Sequence, residues 1–144
     1  MYNFFFTRQP KSYNKMDAKR AAKYREVLEE SLTRHNSDYV GFHNADLYGV
    51  VYYFHNVKSS QDADNLSKPI WDALTSVLYK DDNCIRYRVA GIFDLSENDT
   101  QALDITSLPP DFVSDFLQAI ETEEHIVYVE CGRMRNDFFR FNIE

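Results

Sequence analysis

The stretch QDADNLSKPIWDAL, residues 61–74, sets Asp62, Asp64, Lys68 and Asp72 around the start of an apolar run. Two aspartates two residues apart in a loop can share one divalent cation. A third carboxylate from elsewhere completes an oxygen-rich shell suited to Mg²⁺, and the pair Asp81 and Asp82 offers it. Asp64, Lys68 and Asp72 fall at i, i+4 and i+8, one edge of a helix opposite the Leu66, Ile70, Leu74 face. A lysine within a turn of two metal-binding acids can hold a phosphate oxygen or offset charge that develops in phosphoryl transfer. The same residues have a plainer use, with Asp64 or Asn65 as a helix cap and Lys68 to Asp72 as a surface pair worth a few tenths of a kcal/mol. Spacing alone leaves both uses open. A helix of roughly 12 residues is about 18 Å long, so Asp82 meets Asp62 and Asp64 only if the chain after it turns back alongside and the preceding loop curls over.

The elements that must position these groups are legible from periodicity. YNFFF (residues 2–6) is an aromatic-rich strand ending at the loop TRQPKSYNK. Asp17 is a plausible N-cap, and Ala21, Tyr24, Val27, Leu28 and Leu32 then recur at helical spacing. NADLYGVVYYFHNV holds a nearly continuous β-branched and aromatic run, which predicts a strand covered on both faces and central in a sheet. Pro69 is comfortable only in a first turn, so the next helix is expected to begin near residues 65–67. IRYRVAGIF alternates as a half-covered strand. Pro109 and Pro110 open a third helix through about Ile120, HIVYVEC is a strand, and DFFRFNI is a last, edge strand. The expected fold class is α/β (α+β), a small mixed sheet with helices packed on it, in one domain spanning residues 1–144.

At 144 residues, with 44% hydrophobic and 15% aromatic content, the chain can bury a core of its own. No apolar run reaches the roughly 20 residues that span a bilayer, and the opening MYNFFFTRQP does not have the order of a secretory signal, so the expectation is a cytoplasmic protein with no membrane partner. Cys84 and Cys131 lack metal-site spacing with any histidine and read as small buried residues. The net charge of −7 argues at first against a nucleic-acid partner. It is local, however. Nine of the 23 acids lie between Asp94 and Glu124, where there is no Lys or Arg, leaving the remaining 14 acids against all 16 bases. Lys11, Lys15, Lys19, Arg20 and Lys23 cluster where the first loop meets the first helix, a place where bases oppose the helix dipole and a phosphate contact gains weight. Tyr13 in that loop is the ring best placed to stack on a base. Arg86 and Arg88 are open to DNA or to the acids of the 94–124 segment.

The combined pattern resembles a known family. DADNLSKPIWDAL, followed after TSVLYK by DD opening a strand, is similar to the D-x-D-N-L-x-K-x-x-x-D-A-L and D-D signature of RusA-type Holliday junction resolvases. QPKSYNK likewise resembles that family's P-x-S-x-N segment. Residues 9–14 and 61–89 carry the likeness, about a quarter of the chain. It implies that Asp62, Asp64 and Asp82 are metal-binding carboxylates, Lys68 the essential lysine, and Asp72 and Asp81 supporting acids. It further implies a Mg²⁺-dependent homodimer that nicks symmetric strands of four-way DNA junctions. Lys11, Lys15, Lys19, Asn65 and Lys68 are then the residues expected to meet DNA. The chain departs from the family in its acidity and in an acidic helical insertion at residues 94–124, before the last strands. That segment suits solvation, autoinhibition or a protein partner. Cleavage of flaps or other branched DNA, or a catalytically silent protein-binding domain, are the rival readings.

Overall fold

A computed structural model describes residues 1–12, 14, 16–97 and 103–135. Among the described residues, four strands form one sheet: β1 (Tyr2–Phe6), β2 (Leu47–His55), β3 (Ile85–Asp94) and β4 (His125–Arg133). Their spatial order is β1-β4-β2-β3; β4 is antiparallel to both β1 and β2, and β2 is parallel to β3. The fold is therefore the mixed sheet with packed helices that the sequence predicts, and β2 is central as expected. Helices α1 (Ala18–His35) and α2 (Ala63–Leu74) cover one face, and α3 (Pro110–Thr122) packs on the other.

Alternation along β2 shows why its sequence is apolar throughout. Leu47, Val51 and Tyr53 bury into one cluster with Tyr24, Leu28 and Leu32 of α1 and Leu66, Ile70, Trp71 and Leu74 of α2. Phe54 points the other way and joins Phe5, Ile126 and Tyr128 beneath Phe112 and Phe116 of α3. Gly49 lets α2 sit close: a Cβ there would lie 2.6 Å from the Trp71 ring.

Asp17 caps α1 as predicted, accepting from the Arg20 N–H at 2.8 Å. α2 differs. It begins at Ala63, earlier than the expected 65–67, and Pro69 sits inside it. The cap explains the shift: the Asp62 carboxylate takes the Asn65 N–H at 2.9 Å and the Asp62 carbonyl takes the Leu66 N–H at 3.0 Å, drawing the helix start forward. The segment DFFRFNI lies outside the described residues. No helix among the described residues is long and apolar enough to cross a membrane.

The topology decides what can meet. Because β1 and β2 both run antiparallel to β4, Phe6, His55, Asp94 and His125 all reach the same end of the sheet. The loops leaving β1 and β2 therefore start there, and α1 and α2 both run back from that end.

Candidate active site

The two loops enclose a cleft of about 540 Å³, lined by Gln9, Pro10, Lys11, Ser12 and Asn14 from the first and Ser59 to Asp62 from the second, with Arg20 and Asn65 from the helices behind them. It lies beyond the carboxyl ends of parallel strands, where open α/β sheets habitually bind ligands. Two helix N-termini reach this end of the sheet, and the positive ends of their dipoles favour anions. Thus Lys11, Asp62 and Asn65, drawn from separate motifs in the sequence, come together.

Asp62 is exposed and does two jobs: one oxygen accepts the Asn65 backbone N–H and the other accepts the Asn65 Nδ2–H, each at 2.9 Å. Cap and candidate ligand are therefore one residue, not the Asp64 or Asn65 cap considered above. Asp64, also exposed, stands in the first turn of α2. Lys68 donates to both Asp72 oxygens at 2.9 and 3.2 Å, with both side chains about 44% exposed. The Gln61 Nε2 group, at the rim of the cleft, is a buried donor without a protein acceptor.

Asp82 is elsewhere. It follows α2 and opens a 3₁₀ turn, Asp82–Cys84, before β3, whose first residue pairs with the first of β2. Asp62 and Asp82 thus stand at opposite ends of α2, roughly 18 Å apart along a 12-residue helix. The turn back that would gather all three carboxylates in one chain does not occur, and among the described residues no three His, Cys, Asp or Glu side chains form a metal-holding group. Asp82 instead accepts from Arg88 at 3.0 Å. Arg86 lies 3.6 Å from Asp46, and among the described residues neither arginine pairs with an acid of the 94–124 segment.

Lys19 is exposed in the first turn of α1 but does not line the cleft, and Lys15 and Tyr13 lie outside the described residues. Arg20 and Gln61 are the additions sequence reasoning undervalued; the signal for Arg20 was its basic cluster, and Gln61 carried none beyond its place beside Asp62. Cys131 is buried and its thiol is pushed up to about 12 by that burial, which fits a packing role.

The donor set of Asp62 and Asp64 suits a hard cation. Mg²⁺ is commonly held by only one or two carboxylates, with waters and substrate phosphates completing its shell. Both segments that frame the cleft fall within residues 3–102, which match the family model described as endodeoxyribonuclease RusA. No curated protein matches the chain. A match over this share of the sequence, taking in the cleft lined by Lys11, Asp62 and Asn65, places the chain in the RusA endodeoxyribonuclease family.

Proposed function

We propose that the protein is a Mg²⁺-dependent endonuclease that nicks four-way DNA junctions as a homodimer. The observation that carries this reading is the cleft itself, which sets Lys11 and Arg20 beside Asp62 where the N-termini of two helices meet. Basic groups and helix N-termini hold a DNA phosphate in register, and Asp62 with Asp64 would hold the cation. When bound, the cation supplies charge that polarises the phosphate and lowers the pKa of an attacking water. Asn65 fixes the Asp62 carboxylate through two hydrogen bonds, so its orientation is set before substrate arrives. Lys68, one turn along α2 from Asp64, is held by Asp72 and can release toward a phosphate oxygen.

Asp82 supports the dimer. If it belongs to the same site as Asp62 and Asp64, it has to come from a second copy, because its own chain holds it at the far end of α2. Paired composite sites related by a two-fold axis then match the paired strands of a symmetric junction.

The test incubates the protein with labelled mobile four-way junction, flap and linear duplex, each with Mg²⁺ or EDTA. Junction cleavage that requires Mg²⁺ is expected, and equal cutting of all three substrates would reject junction selectivity. Mixing Asp64→Asn with Asp82→Asn protein then tests the shared site. Two inactive variants should regain nicking together, since a mixed dimer holds one composite site free of both changes. Absence of any recovery, with mixed dimers shown to form, would place Asp82 outside a shared site.

A further inference from the structure

Among the described residues, the sheet face that carries α3 is covered only in part. Next to α3 a cavity of about 380 Å³ is lined by the rings of Tyr52, Phe54, Phe93, Phe116 and Tyr128, with Leu103, Ile105 and Leu108 on its rim and Glu130 among its walls. The rings are ordered: Tyr52 stacks on Tyr128 at 6.1 Å, and Phe93 meets Tyr52 edge-on at 5.7 Å.

Glu130 is an unusual residue for such a wall. Its Oε1 accepts from the Tyr48 hydroxyl at 2.6 Å and its Oε2 from the Tyr128 hydroxyl at 2.5 Å. Burial, reinforced by the carboxylate, raises both phenols, so they remain protonated donors through the physiological range. Each donor leaves a further lone pair on its oxygen. Among the described residues no cation pairs with Glu130. At the rim, Asp104 is kept ionised by the hydroxyl and N–H of Thr106, and the whole 94–124 segment contains no base. Neutral hydrogen bonds orient this carboxylate without neutralising it, while the rings present negative faces beside it.

We propose that this cavity is a docking site for an arginine side chain, flanked by apolar residues, of a protein partner. A guanidinium is planar and weakly hydrated, stacks on aromatic faces, and reaches a carboxylate with two parallel N–H groups. The apolar rim takes the residues on either side of it. A polyanion is disfavoured by Glu130, Asp104 and the base-free segment around them, so this face serves protein and not DNA. Phe116, Tyr128 and Glu130 lie beyond the span matched by the nuclease family, and the cavity shares no lining residue with the cleft and opens on the sheet face opposite α1 and α2, so the proposal does not rest on the cleavage reading.

The test titrates the full chain with the peptide acetyl-Leu-Arg-Leu-amide and with its citrulline twin, which keeps the shape and removes the charge, following amide and aromatic NMR shifts. Saturable shifts at Tyr52, Phe93, Tyr128 and Glu130 are expected for the arginine peptide, with the twin and the Glu130→Gln variant each at least about tenfold weaker. Equal binding of the twin, unchanged binding by Glu130→Gln, or no shifts at these residues would overturn the proposal. Should Glu130→Gln fail to fold, Tyr52→Leu keeps the apolar volume and removes the ring face. It is expected to weaken the arginine peptide by about threefold to tenfold, and unchanged affinity would equally overturn the site.

Discussion

At the residue scale one side chain that the fold uses for structure is also the proposed metal ligand. Asp62 caps α2 and faces the cleft, so the capping reading of DxD is realised at a position that the metal reading also needs. The sequence made the candidates plain because carboxylates are the usual side-chain ligands of Mg²⁺. It did not reveal which of Asp62, Asp64 and Asn65 caps the helix, since each side chain is a competent cap and the choice depends on where the loop from β2 enters. Substitution separates the two jobs. Asparagine caps as well as aspartate, so Asp62→Asn should keep the unfolding free energy within about 0.5 kcal/mol of wild type. Cleavage should nevertheless fall more than about a hundredfold, because even outer partners of metal ligands cost ten- to hundredfold. Asp62→Ala should lose the cap as well, about 1 kcal/mol in denaturant unfolding. Wild-type cleavage by Asp62→Asn would remove this residue from the metal site.

At the element scale, the helices and strands were readable from periodicity, and their arrangement was not. Val127 and Val129 pack with the core on one side of β4 while Ile126 and Tyr128 pack on the other, which marks the strand as buried. Nothing local says that this last described strand inserts between the first and second, because register is decided by pairing with distant residues. The same long-range choice separates Asp82 from Asp62, and a linear motif cannot show it. One junction of elements has a pH signature. His35, in the last turn of α1, lies against the Phe5 and Phe112 rings at 4.8 and 5.1 Å, joining α1, β1 and α3. Burial lowers its pKa below 6.5, outweighing the Ser31 carbonyl and Asp115, which raise it, while Arg34 lowers it further. With the folded pKa depressed, the unfolded chain binds more protons as pH falls through about 6.5, so stability contributed here is present above that pH and lost below it. Urea unfolding of wild type at pH 7 and pH 5 should therefore show a larger loss on acidification than His35→Gln shows. An identical loss in both would mean that His35 is not a source of the pH dependence.

At the scale of the whole molecule, net charge is a poor guide and its placement a good one. The acids of the 94–124 segment are not equivalent. Asp111 and Asp115 are exposed in the first half of α3, which meets the C-terminal end of α1 through Phe112 and His35, while the cleft lies at the opposite end of that 18-residue helix, roughly 27 Å away along its axis. That exceeds the screening length of about 8 Å at physiological salt. Glu123 and Glu124 are different. The Glu124 carbonyl accepts the Asn56 N–H at 3.3 Å, which ties this acidic turn to the loop that leads into Asp62. It stands at the same end of the sheet as Lys11 and Arg20. A charge pair about 10 Å apart in water is worth about 0.4 kcal/mol, or roughly a factor of two per charge before screening. Junction binding measured in Ca²⁺ should therefore be unchanged by Asp111→Asn with Asp115→Asn. It should tighten about twofold to fourfold with Glu123→Gln and Glu124→Gln at low salt, and the gain should fade as salt is raised. Equal effects from the two pairs would show that DNA follows a path reaching both faces of the sheet. A gain confined to Glu123 and Glu124 would locate the phosphates at the cleft end, where the acidic turn tempers affinity at the mouth of the site.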